Sequence, residues 1–261
     1  MKDECAPRFK DEKLAVHWQV DDTKESFERL IHHLDVTSNF KPYFEEALRN
    51  LGLSSNEYGD GLVIADIGAG VCWTSAIMAK HPKVRLVYGV DPSSNRLNHA
   101  GFIKKHFGVD KKVKVTYGSF SEPNVPEKVD IVVLCGSLHH CFDEHLDGLF
   151  SNIKGILKPR GKVLIANEHY VDMLWSAKRI LSYSKHFGSR KELFFYTLRR
   201  PRTPHPTDGE HWRTRRELEK IFDRYGFKYR FYLHKGDLCK NKKDLLSKIG
   251  WHYYNAVLTE R

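Results

Sequence analysis

The sequence predicts an α/β fold: a mostly parallel sheet covered by helices on both faces and completed by an antiparallel strand pair near the C-terminus. Three observations carry this expectation. Short apolar runs with no polar face, such as LVIADI from Leu62 and VDIVVLC from Val129, alternate with helical segments over residues 62–168. Runs of that kind belong to strands buried on both sides. A Gly-x-Gly turn, Gly68 to Gly70, follows the first run directly, and two aromatic-rich runs, FKYRFYL and WHYYNAVL, come after the alternation has stopped. A closing hairpin is the simplest placement for those two.

Residues from about 10 to 51 read as helical, with Leu30, Ile31 and Leu34 at helical spacing and a second stretch built on Phe40, Tyr43, Phe44 and Leu48. The strand LVIADI, a helix near Trp73 to Lys80, the strand VRLVYGV and a helix near Ser94 to Phe107 follow. Then come VKVTYG, VDIVVLC, a helix through Phe150 to Leu157, and KVLIAN. After Glu168 the rhythm changes. The interval from His169 to Arg213 holds an apolar helical stretch and the tract RRPRTPHPTDGEHWRTRR, too rich in proline for a regular element. A helix over RRELEKIFDRYG and the last two strands, separated by a lysine-rich linker, complete the chain. The expected division is a helical cap over 1–55, a core over 56–168, a cap or substrate insertion over 169–213, and a helix with a strand pair over 214–261 that completes the core.

A length of 261 residues suits one large domain with an appended cap. The composition, 41% hydrophobic with 29% charged, excludes a disordered chain. No apolar run reaches about 18 residues, and MKDECAPRFKDEKLAV lacks the apolar region of a secretory signal, so a cytoplasmic protein without a membrane span is expected. Cys5, Cys72, Cys135, Cys141 and Cys239 are scattered with no C-x-x-C pair, which suggests neither a disulfide framework nor a zinc ribbon. The net charge of +10 fits an anionic partner and equally a plain soluble protein of high pI.

At the end of a buried strand, Gly68 and Gly70 let backbone N–H groups approach a ligand closely, and Asp66 stands just ahead of them. Trp73 occupies the place of the last glycine of the dinucleotide fingerprint, which disfavours a pyrophosphate, whereas an acid ahead of the glycines suits a cationic ligand. The second strand ends in Asp91, about 20 residues on, where a carboxylate can accept both hydroxyls of a ribose. Singly, the glycines read equally well as a tight turn, and Asp91, Pro92 and Ser93 as a helix cap. Their joint order and spacing favour a nucleoside-bearing cofactor.

With these motifs in this order, roughly Leu62 to Glu168 resembles the class I S-adenosylmethionine-dependent methyltransferases, in their small-molecule branch. The resemblance implies a Rossmann-like, seven-stranded methyltransferase sheet. It implies that Asp66, Gly68, Ala69 and Gly70 hold the amino-acid end of S-adenosylmethionine, with Cys72 where a third glycine is common, and that Asp91, followed by Pro92, binds the ribose. Ser119 and Phe120 in YGSF match the adenine side, Ser119 standing where an acid is frequent and Phe120 able to pack on the ring. In VLCGSLHHC, Cys135 and Gly136 offer backbone groups to the cofactor, and His139 or His140 faces the acceptor. LKPRGKVLIANEHY is similar to the family's turn and fifth strand, and puts Glu168, His169 and Tyr170 on the same rim.

The implied chemistry is direct displacement, in which the protein aligns the acceptor, excludes water and removes a proton. His139, His140, His169 and His211 are the candidate bases, because imidazole titrates near neutrality. Glu168, Tyr170 and Arg213 are the candidate acceptor contacts. Six arginines with His205 and His211 between Arg199 and Arg216 suggest a small polar acceptor, sugar-containing or phosphorylated. No metal is expected, since neither HHCFDEH nor the set Glu168, His169, Asp208 and His211 has a diagnostic spacing. The rivals are a tRNA or rRNA methyltransferase, suggested by the charge and by Lys235, Lys240, Lys242, Lys243 and Lys248, and a noncatalytic cofactor-binding module. Oligomeric state is not legible in the sequence.

Overall fold

A computed structural model describes residues 15–55, 57–172, 189–191, 211, 213–234 and 251–261. Its first strand, β1 (Leu62–Ile67), is buried at every position, as an apolar run with no polar face requires. The others are β2 (Val84–Asp91), β3 (Val113–Tyr117), β4 (Val129–Cys135), β5 (Leu157–Val171), β6 (Phe227–Leu233) and β7 (Trp251–Glu260). They form one seven-stranded sheet in the order β3-β2-β1-β4-β5-β7-β6. β1 to β5 run parallel, and β7 lies antiparallel to both β5 and β6. The strand order reverses between β1 and β4, and in such sheets ligands gather at the carboxyl ends of the strands beside that reversal. This is the Rossmann-like sheet with an antiparallel C-terminal pair that the sequence led us to expect.

Six α-helices occur among the described residues: α1 (Lys24–His32), α2 (Phe40–Leu51), α3 (Trp73–Ala79), α4 (Ser94–Phe107), α5 (Leu146–Ile156) and α6 (Arg215–Arg224). Their ends follow local chemistry. The side chains of Thr23 and Ser93 accept backbone N–H bonds at the starts of α1 and α4, and Gly52 and Gly108 close α2 and α4 in the left-handed conformation. Thr214 and Glu217 form a reciprocal capping box at α6.

Strand alternation sends side chains to two apolar layers. Val63, Ala65, Val132 and Leu134 pack with Phe150 of α5 and Phe222 of α6 on one face. On the other, Ile64, Ile131 and Val133 pack with Leu30, Leu34, Phe44 and Ala47 of the N-terminal helices. The segment expected to be a cap is therefore also part of the core, each buried Leu or Phe contributing about 1.5–3 kcal/mol. Trp18 and Phe40 sit at its edge, above the carboxyl ends of the strands.

β5 is longer than the run KVLIAN. Its early part includes LKPRG, where Leu157 pairs with Val129 before a register shift. Near its end lies a bulge: Ile165 pairs with Ala256 but Glu168 with Tyr254, so the strand carries one extra residue, and Asn167 takes φ +51°. The bulge changes which face each later side chain meets. Strict alternation from Ala166 would turn position 169 away from the second layer; instead His169 lies opposite Tyr253, on that layer's side, and Tyr170 lies opposite His252 on the other. Most of the expected insertion over 169–213, including Phe195, Tyr196, Asp208 and Trp212, lies outside the described residues, as do the lysines from Lys235 to Lys248. Among the described residues no helix is long and apolar enough to cross a membrane.

Candidate cofactor and acceptor site

The loop after β1 is fixed by backbone bonds: Gly68 and Ala69 donate their N–H groups to the Val90 carbonyl at 2.8 and 2.9 Å. Gly68 has φ +78°, and a Cβ there would stand 2.5 Å from Ser137 Cβ, so only glycine fits. Gly70 has φ +57°, and the nearest atom to a Cβ there would be Arg96 Cδ, at 4.0 Å. Cys72 starts α3 in the left-handed conformation, φ +63°, where a glycine would be unstrained; its side chain packs on Ala69 and Ala100.

Two carboxylates brace this loop. Asp91, buried at the end of β2, accepts Gly70 N–H on Oδ2 and Ser93 N–H on Oδ1, both at 2.8 Å. A carboxylate can accept several hydrogen bonds, which is the chemistry a ribose diol would use. Asp66 accepts the hydroxyls of Thr74 and Ser75 on Oδ2 at 2.6 Å, and its Oδ1 is buried with no partner among the described residues. Burial pushes its pKa up to about 6 despite those hydroxyls, and Asp91 adds to the rise. Asp66 thus holds the start of α3 and does not line the cavity.

Two adjoining cavities open above this loop. The smaller, about 50 Å³, is lined by Asp91, Pro92, Ser119 and Phe120; the larger, about 320 Å³, by Ala69, Gly70 and Cys135 among others. Gly68, Arg96, Gly136 and His140 border both. Burial raises the Cys135 thiol well above its usual range, which keeps it protonated and poorly nucleophilic.

The far end of the larger cavity is built by His139, His140, Asn167 and His169, with Trp18, Phe40, Trp251 and Tyr253 as an aromatic wall. His139 and His140 sit on a single 3-10 turn after β4. Buried Glu168 secures that turn, accepting Leu138 N–H on Oε1 at 2.6 Å and facing His139 Nδ1 with Oε2 at 2.9 Å. His169 stacks on Trp251 with ring centres 3.9 Å apart, and its Nε2 is buried with no partner among the described residues. Burial first, then the nearby His139, His140 and Arg213, pushes its pKa well below the usual value, so the ring is neutral.

Four residues expected at the acceptor, Tyr170, Arg213, His211 and Glu168, do not line the cavity. Tyr170 stacks on His252 on the opposite face of the sheet, a consequence of the bulge. Arg213 is buried and spans the turn after β4, donating to the carbonyls of Leu138 and Cys141 at 3.2 and 2.7 Å and to Asp143 at 2.8 Å. His211 donates its backbone N–H to the His139 carbonyl at 2.8 Å, and burial followed by Arg213 lowers its pKa to about 4. Glu168, expected to meet the acceptor, stands behind His139 instead. Reasoning from sequence missed Trp18, Phe40, Arg96, Asn167, Trp251 and Tyr253. Of these, only Trp251 and Tyr253 left a signal, two aromatics on one face of a strand.

Residues 65–163 match the methyltransferase domain family. An uncharacterized methyltransferase of Bacillus cytotoxicus is 23% identical over 201 residues, covering 77% of this chain and 82% of that protein. Among solved structures, magnesium protoporphyrin IX methyltransferase from Synechocystis, with bound S-adenosylhomocysteine, superposes with a TM-score of 0.57 at 14% identity, over 98% of this chain and 92% of that one. A phosphoethanolamine N-methyltransferase from Haemonchus contortus, in complex with phosphomonomethylethanolamine and S-adenosylhomocysteine, superposes with a TM-score of 0.55 at 20% identity, over 83% of this chain and 52% of that one.

Proposed function

We propose that the chain is a class I methyltransferase that takes its methyl group from S-adenosylmethionine and delivers it to an oxygen or nitrogen atom of a small acceptor. One observation carries the reading. The Gly68–Gly70 loop and the Asp91 carboxylate converge on two adjoining cavities at the point where the strand order reverses.

In this reading the smaller cavity takes the adenosine, with Asp91 accepting from the ribose and Phe120 against the base. The glycine loop and Gly136 surround the amino-acid end. When bound, the cofactor supplies a sulfonium-activated methyl group. The protein's own residues align the acceptor and take its proton. A carboxylate beside Nδ1 holds a proton there and so makes the other ring nitrogen of His139 the one that takes a proton from a hydroxyl or ammonium. Trp18, Phe40, Trp251 and Tyr253 offer flat apolar faces and keep water from the reacting atoms. Two structural neighbours act on small molecules, a porphyrin and a phosphorylated amine, which supports an acceptor of that class over RNA.

The test is an acceptor screen that follows S-adenosylhomocysteine release, with hydroxylated and aminated small molecules in one arm and tRNA and rRNA in the other. Turnover of a small molecule that falls sharply in His139→Gln supports the reading. Turnover confined to RNA would replace it.

A further inference from the structure

We propose that His139, Glu168 and His169 form a binding site for one first-row divalent transition-metal ion at the acceptor end of the larger cavity. Each of the three offers one ligand atom, and these atoms all lie within 4.8 Å of one another. The residues are far from a sequence motif. The turn after β4 supplies one histidine, and the bulged end of β5 supplies the carboxylate and the other.

His139 Nδ1 and Glu168 Oε2, in direct contact at 2.9 Å, need part by only about half an ångström to share an ion, since metal bonds of about 2.0–2.2 Å in tetrahedral geometry put two ligand atoms roughly 3.4 Å apart. Independently, His169 Nε2 is buried with no hydrogen-bond partner among the described residues, although its ring borders the cavity. A buried imidazole nitrogen with nothing to bond carries a desolvation cost that a ligand relieves.

The surroundings also fix the donors in place. Leu138 N–H holds Glu168 Oε1, the His139 carbonyl is held by His211 N–H, and Trp251 stacks on His169. Such outer contacts orient metal ligands before the ion arrives. Two imidazoles with one carboxylate suit Zn²⁺, Fe²⁺, Co²⁺ or Mn²⁺, whereas Mg²⁺ and Ca²⁺ prefer all-oxygen sets. Three protein ligands leave further positions on the ion, where an acceptor oxygen could be held and its proton more easily lost. The base and metal readings differ in what lies between His139 Nδ1 and Glu168 Oε2, a proton or an ion. The ion's encounter with an acceptor rests on the methyl-transfer reading; the site itself does not.

The experiment uses the full, untagged chain stripped with a chelator and titrated with Co²⁺, followed by visible d–d absorption, with Zn²⁺ and excess Mg²⁺ as competitors. One Co²⁺ per chain is expected, displaced by Zn²⁺ and not by Mg²⁺. Glu168→Gln and His169→Gln should each weaken it by more than about 100-fold, with His139→Gln as a third variant if either fails to fold. Absence of saturable binding, or binding of undiminished affinity in folded variants, overturns the proposal. S-adenosylhomocysteine titrated into the same samples separates the two readings: cofactor binding without metal binding defeats this inference alone, and metal binding without cofactor binding defeats the methyl-transfer reading.

Discussion

Glu168 ties the end of β5 to the turn after β4, its Oε1 accepting Leu138 N–H at 2.6 Å while its Oε2 faces His139 Nδ1 at 2.9 Å. One buried carboxylate thus orients the imidazole that borders the larger cavity. With an acceptor in hand, His139→Gln should lower kcat by about 10²–10⁴-fold and leave S-adenosylhomocysteine affinity nearly unchanged. Glu168→Gln should lower kcat less, because its amide oxygen can still accept from Leu138 N–H while no carboxylate faces His139 Nδ1. Steady-state kinetics check both; an unaltered kcat in Glu168→Gln would show that the carboxylate only braces the turn.

The two loop glycines should respond differently to alanine. Gly68→Ala adds a Cβ 2.5 Å from Ser137 Cβ in a left-handed backbone, and should cost roughly 2 kcal/mol or more of stability together with cofactor binding. Gly70→Ala meets open space and should cost only about 1–2 kcal/mol for its backbone conformation. Urea unfolding and calorimetry on the two variants measure the difference, and equal losses would mean that Ser137 yields.

Asp66 makes stability depend on pH. Its folded pKa of about 6 lies above the 3.8 of an unperturbed aspartate, so between these values the folded state holds the proton more tightly than the unfolded state. Stability from this group is therefore full below about pH 4 and declines as pH rises through 6, a loss of roughly 3 kcal/mol on the full shift. Asp66→Asn should flatten that decline relative to wild type. Urea unfolding between pH 4.5 and 7.5 tests it, and parallel pH slopes in the two proteins would contradict the assignment.

Arg213 is a test of structure against recognition. Its guanidinium is buried among the Leu138 and Cys141 carbonyls and Asp143, and breaking such a set by Arg213→Met should cost about 3 kcal/mol. Full stability with selective loss of an anionic acceptor would instead restore Arg213 as a substrate anchor.

The fold was legible because β1, β2, β4 and β5 each carry an apolar run, because β3 is rich in β-branched residues, and because the Gly68–Gly70 loop and Asp91 sit at the turns between them. What stayed hidden depends on the third dimension. Asn167 gives no local sign of a bulge, yet that single extra residue sends His169 to the cavity and Tyr170 away from it. Trp18 and Trp251 lie at opposite ends of the chain and meet over one cavity. Arg213 sits in an arginine-rich tract that reads as an anion-binding surface, and its burial and three partners show that it is interior.

Methyl transfer requires that the Gly68–Gly70 loop and Asp91 hold the cofactor, which calorimetric titration of cofactor-free protein with S-adenosylhomocysteine measures. One site per chain with a micromolar Kd is expected, weakened at least about tenfold, or roughly 1.4 kcal/mol, in Asp91→Ala. Absence of binding to folded, cofactor-free protein, or equal affinity in the variant, would contradict it.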